Sequence, residues 1–258
     1  MIAKATKIGT SGIGWTGYTW NCWWGCHKIS PGCLHCYIDR EMRKQHLSAF
    51  KGPIRTKTTW GKPDQWQKEA LEAGTRIMIF TTGFSDFFHV GADKWRSEAW
   101  RIIKRCTALD FQVLTKRPEN IPDRLPPDWG DGYDNVWLGV TVENPDYLHR
   151  IDQLKQVPAK TRFISAEPLL APINFDPAAK GIDWMITGCE STGPHSASNR
   201  KMNLQWVRDI DDVCIKYGIA HFFKQYEDEN GKFHHDKERG QMLDGVMVEE
   251  FPASKGKA

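Results

Sequence analysis

Six short runs of β-branched and aromatic residues, at 76–81, 111–115, 136–141, 162–165, 184–187 and 219–223, narrow the possible folds of this chain more than any other feature. Runs this short and this continuously apolar read as strands buried on both faces, the mark of parallel sheet. Between them lie segments of helical periodicity. Residues 93–106 place Trp95, Ala99, Ile102, Ile103 and Cys106 near helical spacing, so one face is apolar, and residues 145–156 and 204–217 follow the same pattern. Gly218 ends the last of these as a left-handed cap would. Alternation in units of roughly 22–35 residues belongs to parallel α/β folds. With a further short strand near Ile13-Gly14-Trp15, the chain is predicted to be α/β, a single partial parallel β/α barrel of six to seven strands with an N-terminal loop ahead of it. Its 258 residues suit one domain. An open doubly wound sheet is the alternative, but no Gly-x-Gly-x-x-Gly follows any run and no phosphate-binding loop motif is present.

The runs end in polar residues where a strand core would not. Thr81-Thr82-Gly83-Phe84-Ser85-Asp86, Thr115-Lys116-Arg117-Pro118, Thr141-Val142-Glu143-Asn144, Ser165-Ala166-Glu167-Pro168, Thr187-Gly188-Cys189-Glu190 and Lys224-Gln225-Tyr226 all fit this description. In a parallel barrel such ends meet at one mouth, where ligand sites form. Any one of them could instead cap the next helix, as Ser85 or Asp86 could; six in series favour a site.

Four of the seven cysteines fall within residues 22–36, in the pattern C-x3-C-x6-C-x2-C, inside a loop placed at 19–37 and followed by a helical stretch at 37–47. An odd count and no apolar leader argue against a secreted disulfide framework and for metal or cluster binding. Gly25, Pro31 and Gly32 supply the turns that let thiolates converge. A structural zinc on four cysteines fits the spacing too. The loop's position just after the first strand, on the side where barrels keep their active sites, favours a functional cluster.

The rest of the composition sets limits. A net charge of +3 permits nucleic-acid binding without demanding it. No apolar run approaches the ~20 residues a membrane helix needs, so a cytoplasmic protein with no membrane partner is expected. Neither His-Glu-x-x-His nor Gly-x-Ser-x-Gly occurs, His234-His235 reads as solvated, and the polar tail from about residue 250 reads as mobile. Most of the 12 tryptophans must be core, but Trp20, Trp23 and Trp24 crowd the cysteines.

Taken together, Gly14-Trp15-Thr16, Thr19-Trp20-Asn21, Gly25-Cys26, Ser30-Pro31-Gly32-Cys33, Cys36-Tyr37, Leu114-Thr115-Lys116-Arg117-Pro118, Gly139-Val140-Thr141-Val142-Glu143, Ser165-Ala166-Glu167-Pro168-Leu169-Leu170, Gly188-Cys189-Glu190-Ser191, Phe222-Phe223-Lys224-Gln225 and Leu243-Asp244-Gly245 resemble a phage and prophage family of three-cysteine-motif proteins related to the radical S-adenosylmethionine enzymes. The resemblance implies a 4Fe-4S cluster on Cys26, Cys33 and Cys36, with one iron open to S-adenosylmethionine, and Cys22 outside the ligand set. It implies that His35 leans on the adenine and that Ser85 and, above all, Asp86 meet the cofactor amino group. Glu143, Glu167 and Glu190 would hold ribose or substrate, and Lys116 a carboxylate or phosphate. An external one-electron reductant such as flavodoxin or ferredoxin is implied, in the cytoplasm of an infected or lysogenic host. The expected substrate is a pyrimidine base in phage DNA, or a thymidine already hypermodified, gripped by Trp23 and Trp24 as stacking surfaces and by Lys51, Arg55, Lys57 and Arg117 on phosphates. A peptide or small-metabolite substrate, or a zinc- or cluster-bearing binding module without catalysis, are the competing readings.

Overall fold

The computed structural model describes residues 9–191, 200–235 and 240–253. Its strands are β1 (Tyr18–Trp20), β2 (Trp23–Trp24), β3 (Ile54–Arg55), β4 (Ile77–Thr81), β5 (Leu109–Thr115), β6 (Val136–Thr141), β7 (Thr161–Ala166), β8 (Trp184–Gly188), β9 (Ala220–Glu227), β10 (Phe233–His235), β11 (Gln241–Leu243) and β12 (Val246–Val248). Its helices are α1 (Ile38–Arg43), α2 (Lys62–Glu72), α3 (Asp93–Arg105), α4 (His149–Lys155) and α5 (Leu204–Tyr217).

The main sheet runs β1-β4-β5-β6-β7-β8-β9-β10 and curls into a half barrel. All neighbours are parallel except β10, which returns antiparallel on β9. Strands are added in one direction only, so the order never reverses as it must in a doubly wound sheet. That alternative is therefore excluded.

Alternation along each strand splits the core into two layers. Ile77 and Ile79, Leu138 and Val140, and Ile164 and Ala166 pack with Ala99, Ile103, Leu154 and Val207 of the helices. The other face carries a separate aromatic cluster of Trp15, Phe80, Trp137, Phe163, Trp184 and Phe222, with no helix residue in it. Gly139 is required here: a Cβ would fall 2.4 Å from the Phe163 ring.

Several expectations change. Residues 13–15 form no strand; Trp15 instead plugs the aromatic layer between Phe80 and Trp184, and the first strand is β1. Its apolar signal came from burial in the plug and not from pleat. The helix at 37–47 contracts to α1, because His46 turns left-handed at φ 56°. Helix α2 was not anticipated. Gly218 does cap α5, at φ 65°. The tail is tied down past residue 250: Trp184 Nε1 donates to the Glu250 carbonyl at 2.9 Å, and Phe251 packs between Trp184 and Phe222. The rest of the predicted tail, 254–258, lies outside the described residues. His235 is exposed as expected, but His234 is half-buried, stacking on Tyr226 at 4.5 Å and bonding Asp228 at 2.8 Å. No helix among the described residues is long and apolar enough to cross a membrane.

Candidate functional site

A cavity of about 670 Å³ opens where the strands end. Residues from the C-terminal ends of β4 to β9 line it: Asp86, Lys116, Thr141, Glu167, Glu190 and Lys224. The polar strand ends read from the sequence do converge.

The cysteine loop forms one wall. Gly25 starts it at φ 96°, with no room for a side chain because a Cβ would meet the Gly52 carbonyl at 2.3 Å. Gly25 N donates to Phe84 O and Cys26 N to Ala49 O, and the Ser85 hydroxyl donates to Gly25 O. Pro31–Cys33 then closes a short 3₁₀ turn. Cys26, Cys33 and Cys36 all face the cavity. Cys22 does not: it is fully buried in the helix-side core. Cys22 thus stands apart from the other three thiols, which argues against a four-cysteine zinc. Three thiolates that each ligate their own iron of a cluster need not meet at a point, and an all-thiol donor set on one irregular loop suits iron and sulfide.

Charge at the loop is organised around the buried Asp86–Arg117 pair. Asp86, buried, accepts from Phe88 N at 2.9 Å, Thr115 Oγ1 at 2.7 Å, Lys116 N at 3.0 Å and Arg117 Nη1 at 3.1 Å. Arg117 in turn donates to the His27 carbonyl at 2.7 Å and reaches the Cys26 sulfur at 3.5 Å. Burial, then the Asp86 charge, pushes the Cys26 thiol up to about 11 in spite of Arg117. Burial also raises Cys33, but the Lys116 ammonium and hydrogen bonds from Ile29 and Ser30 outweigh it, so that thiol lies below its ordinary value. Lys116 makes no ion pair among the described residues.

Glu143 was expected in the pocket. It lies behind the loop, fully buried, with Arg150 Nη1 at 2.8 Å; a Cβ on Gly32 would sit 2.9 Å from its Oε1. It therefore braces the loop from outside. Glu190 and Glu167 do face the cavity. Glu190 accepts from Arg200 through both oxygens and meets His35 Nδ1 at 3.0 Å; burial opposes its charge, but Arg200 more than compensates and holds the carboxyl below its usual range. Glu167 pairs with Lys224 at 2.8 Å.

The expected nucleic-acid contacts are not available as drawn. Trp23 is fully buried against Phe87 and Trp95, its indole N–H donating to Asp86 O at 3.2 Å. Trp20 is equally buried, and Trp24 packs edge-on to Phe84 over Ile38, Met42 and Ala49. Arg117 is committed to Asp86 and the loop. Lys51, Arg55 and Lys57 lie away from the cavity wall; Arg55 pairs with Glu98 of α3 at 2.9 Å and covers the Trp60 ring at 3.9 Å. A short cationic run carries no information about which side of the fold it will face. Cys189, in the polar end that follows β8, and His235 also line the cavity.

A half barrel wound in one direction, with a thiol-bearing loop across the ends of its strands, defines the class: a parallel β/α barrel protein with a cysteine-lined mouth. The chain belongs to the family described as protein of unknown function (DUF5131), whose model matches residues 10–252. No curated protein matches it. Two solved structures are similar at 12% identity, each over 91% of this chain and 72% of the other: a mutant spore photoproduct lyase with dinucleoside spore photoproduct, at TM-score 0.49, and a second spore photoproduct lyase mutant, at 0.47.

Proposed function

We propose that this protein is a radical S-adenosylmethionine enzyme with a 4Fe-4S cluster on Cys26, Cys33 and Cys36. The observation that carries the reading is the split among the clustered cysteines. The three that the family motif marks face the cavity at the strand ends, and the fourth, Cys22, is buried elsewhere. When bound, the cluster and cofactor supply one-electron cleavage of a carbon–sulfur bond and hydrogen abstraction from substrate.

The chain's own residues bind and orient. Lys116, an ammonium beside Cys33 with no ion-pair partner among the described residues, is placed for the cofactor carboxylate. His35, fixed by Glu190, presents its ring to the adenine. Asp86 is saturated by four donors, so the cofactor amino group falls instead to Glu167, which among the described residues meets Lys224 and Ser165. The substrate is a pyrimidine base, thymidine or a hypermodified thymidine in phage DNA. Tyr37 and Phe84, 6.1 Å apart on the cavity wall, offer the aromatic surface that Trp23 cannot.

The test is anaerobic reconstitution followed by dithionite. Iron and sulfide near four per chain, cleavage of S-adenosylmethionine, and about ten-fold weaker cofactor binding by Lys116→Met support the assignment. Mass spectrometry of hypermodified phage DNA before and after turnover tests the substrate; a mass change only in an added peptide or free metabolite moves the enzyme to those substrates.

A further inference from the structure

The three thiols that face the cavity sit in unlike surroundings. Cys36 takes a hydrogen bond from the Ile38 backbone and packs over Ile38, Met42 and Ala49. Cys33 lies beside the Lys116 ammonium on the cavity side. Cys26 meets a buried ion pair, with Arg117 7% exposed and Asp86 4%.

The donors and acceptors of that pair are all committed. Arg117 Nη1 lies 3.1 Å from Asp86 Oδ2 and 3.5 Å from Cys26 Sγ, and its hydrogens suffice for both. Nη2 donates to the His27 carbonyl at 2.7 Å. Asp86 Oδ1 is held by Phe88 N and Thr115 Oγ1, and Oδ2 by Lys116 N as well as Arg117. Neither charge is therefore free to turn away from the sulfur. A cysteine bound to iron carries no proton, so its sulfur is an acceptor and the hydrogen bond runs from Arg117 to Cys26. One sulfur thus feels two opposed neighbours. The free thiol registers both, with Asp86 pushing it up and Arg117 pulling it down.

We infer that Arg117 and Asp86 set the reduction potential of the cluster, Arg117 raising it through its hydrogen bond to Cys26 and Asp86 lowering it through its charge. The inference rests on the radical-enzyme reading, since it needs a cluster on Cys26. Reduction adds one electron to the cluster and no atom, so its potential follows the charges and hydrogen bonds at the thiolate sulfurs. Such influences are strongest where water is excluded, as it is around these two side chains. Lys116 acts on Cys33 in the same sense as Arg117 on Cys26, but it faces the cavity, where the cofactor carboxylate matches its charge. Arg117 and Asp86 are matched by the protein itself, so their influence is built in before the cofactor arrives.

The test is a redox titration of the reconstituted full chain, followed by the electron paramagnetic resonance of the reduced cluster, without S-adenosylmethionine. It reads the potential of whatever cluster forms, independent of occupancy. Asp86→Asn should raise the potential and Arg117→Gln should lower it, each by about ten-fold in the reduction equilibrium, or about 59 mV for one electron. The double variant leaves no buried charge unmatched, keeps the fold and should fall between the two. A pair that merely braced the loop would lose iron in both single variants without moving the potential, or would move it in one direction in both; either result overturns the inference. Should Arg117→Gln hold no cluster, Arg117→Lys takes its place: it keeps a cation opposite Asp86 but loses the fork that reaches the sulfur. Its potential should still fall, and a parental value overturns the inference. Failure of the radical reading registers separately, as potentials that move as stated in a cluster that does not cleave S-adenosylmethionine. A parent chain that takes up no iron and sulfide overturns both.

Discussion

Arg117 Nη1 stands 3.5 Å from the Cys26 sulfur and 3.1 Å from Asp86 Oδ2, so a buried ion pair ends on the first cysteine of the loop. Breaking a buried pair costs more than the pair itself contributes, because one charge is left unmatched. Arg117→Met is expected to destabilise the fold by roughly 3 kcal/mol and to lower iron uptake, while Arg117→Lys keeps charge but loses the fork that spans Asp86 and His27 O. Asp86→Asn should behave like Arg117→Met. Thermal midpoints and iron per chain measure both; an Asp86→Asn protein of parental stability would contradict the pairing.

The cysteines should separate cleanly. Alanine at Cys26, Cys33 or Cys36 is expected to abolish the cluster. Cys22→Ala should retain it and lose only about 1 kcal/mol from a small core cavity. Equal iron loss in Cys22→Ala would mean a four-cysteine site after all.

Gly32 lies against the braced carboxylate of Glu143. Because Arg150 pins that carboxylate in a fully buried position, it cannot swing away from an added methyl. Gly32→Ala should therefore displace the loop and cut iron content several-fold with an unchanged far-ultraviolet circular dichroism spectrum. Normal iron uptake would show that the loop has room to give.

His89 sets a pH limit. Burial first, then the nearby Arg117 and His27 charges, hold its imidazole down at about 4 against an ordinary 6.5. The unfolded chain takes the proton first, so the stability from this group is complete above pH 6.5 and declines as pH falls toward 4. At pH 5 the loss is about 2 kcal/mol. His89→Asn, which still caps Gly91 N, should lack that share of the decline. Urea unfolding of both proteins at pH 7 and pH 5 gives the difference; parallel losses would clear His89 of the effect.

The sequence by itself determined the six long strands of the sheet and their polar ends, because a strand buried on both faces must be continuously apolar and the break in that run is local. It also determined the three-cysteine loop, whose spacing is a chain property, and the cap at Gly218. It misled where a signal had two causes. Trp15 was apolar for a plug and not for a pleat, and Phe251 held down a segment whose composition looked like tail. Only the tertiary structure decided which way side chains face. It sent Trp23 inward, gave Asp86 four donors, put Glu143 behind the loop and turned Lys51, Arg55 and Lys57 to the outer surface. Those outcomes depend on contacts such as Asp86 with Arg117, 31 residues apart, and Gly32 with Glu143. No local pattern encodes such a contact, since its energy exists only once the barrel has brought the two segments together.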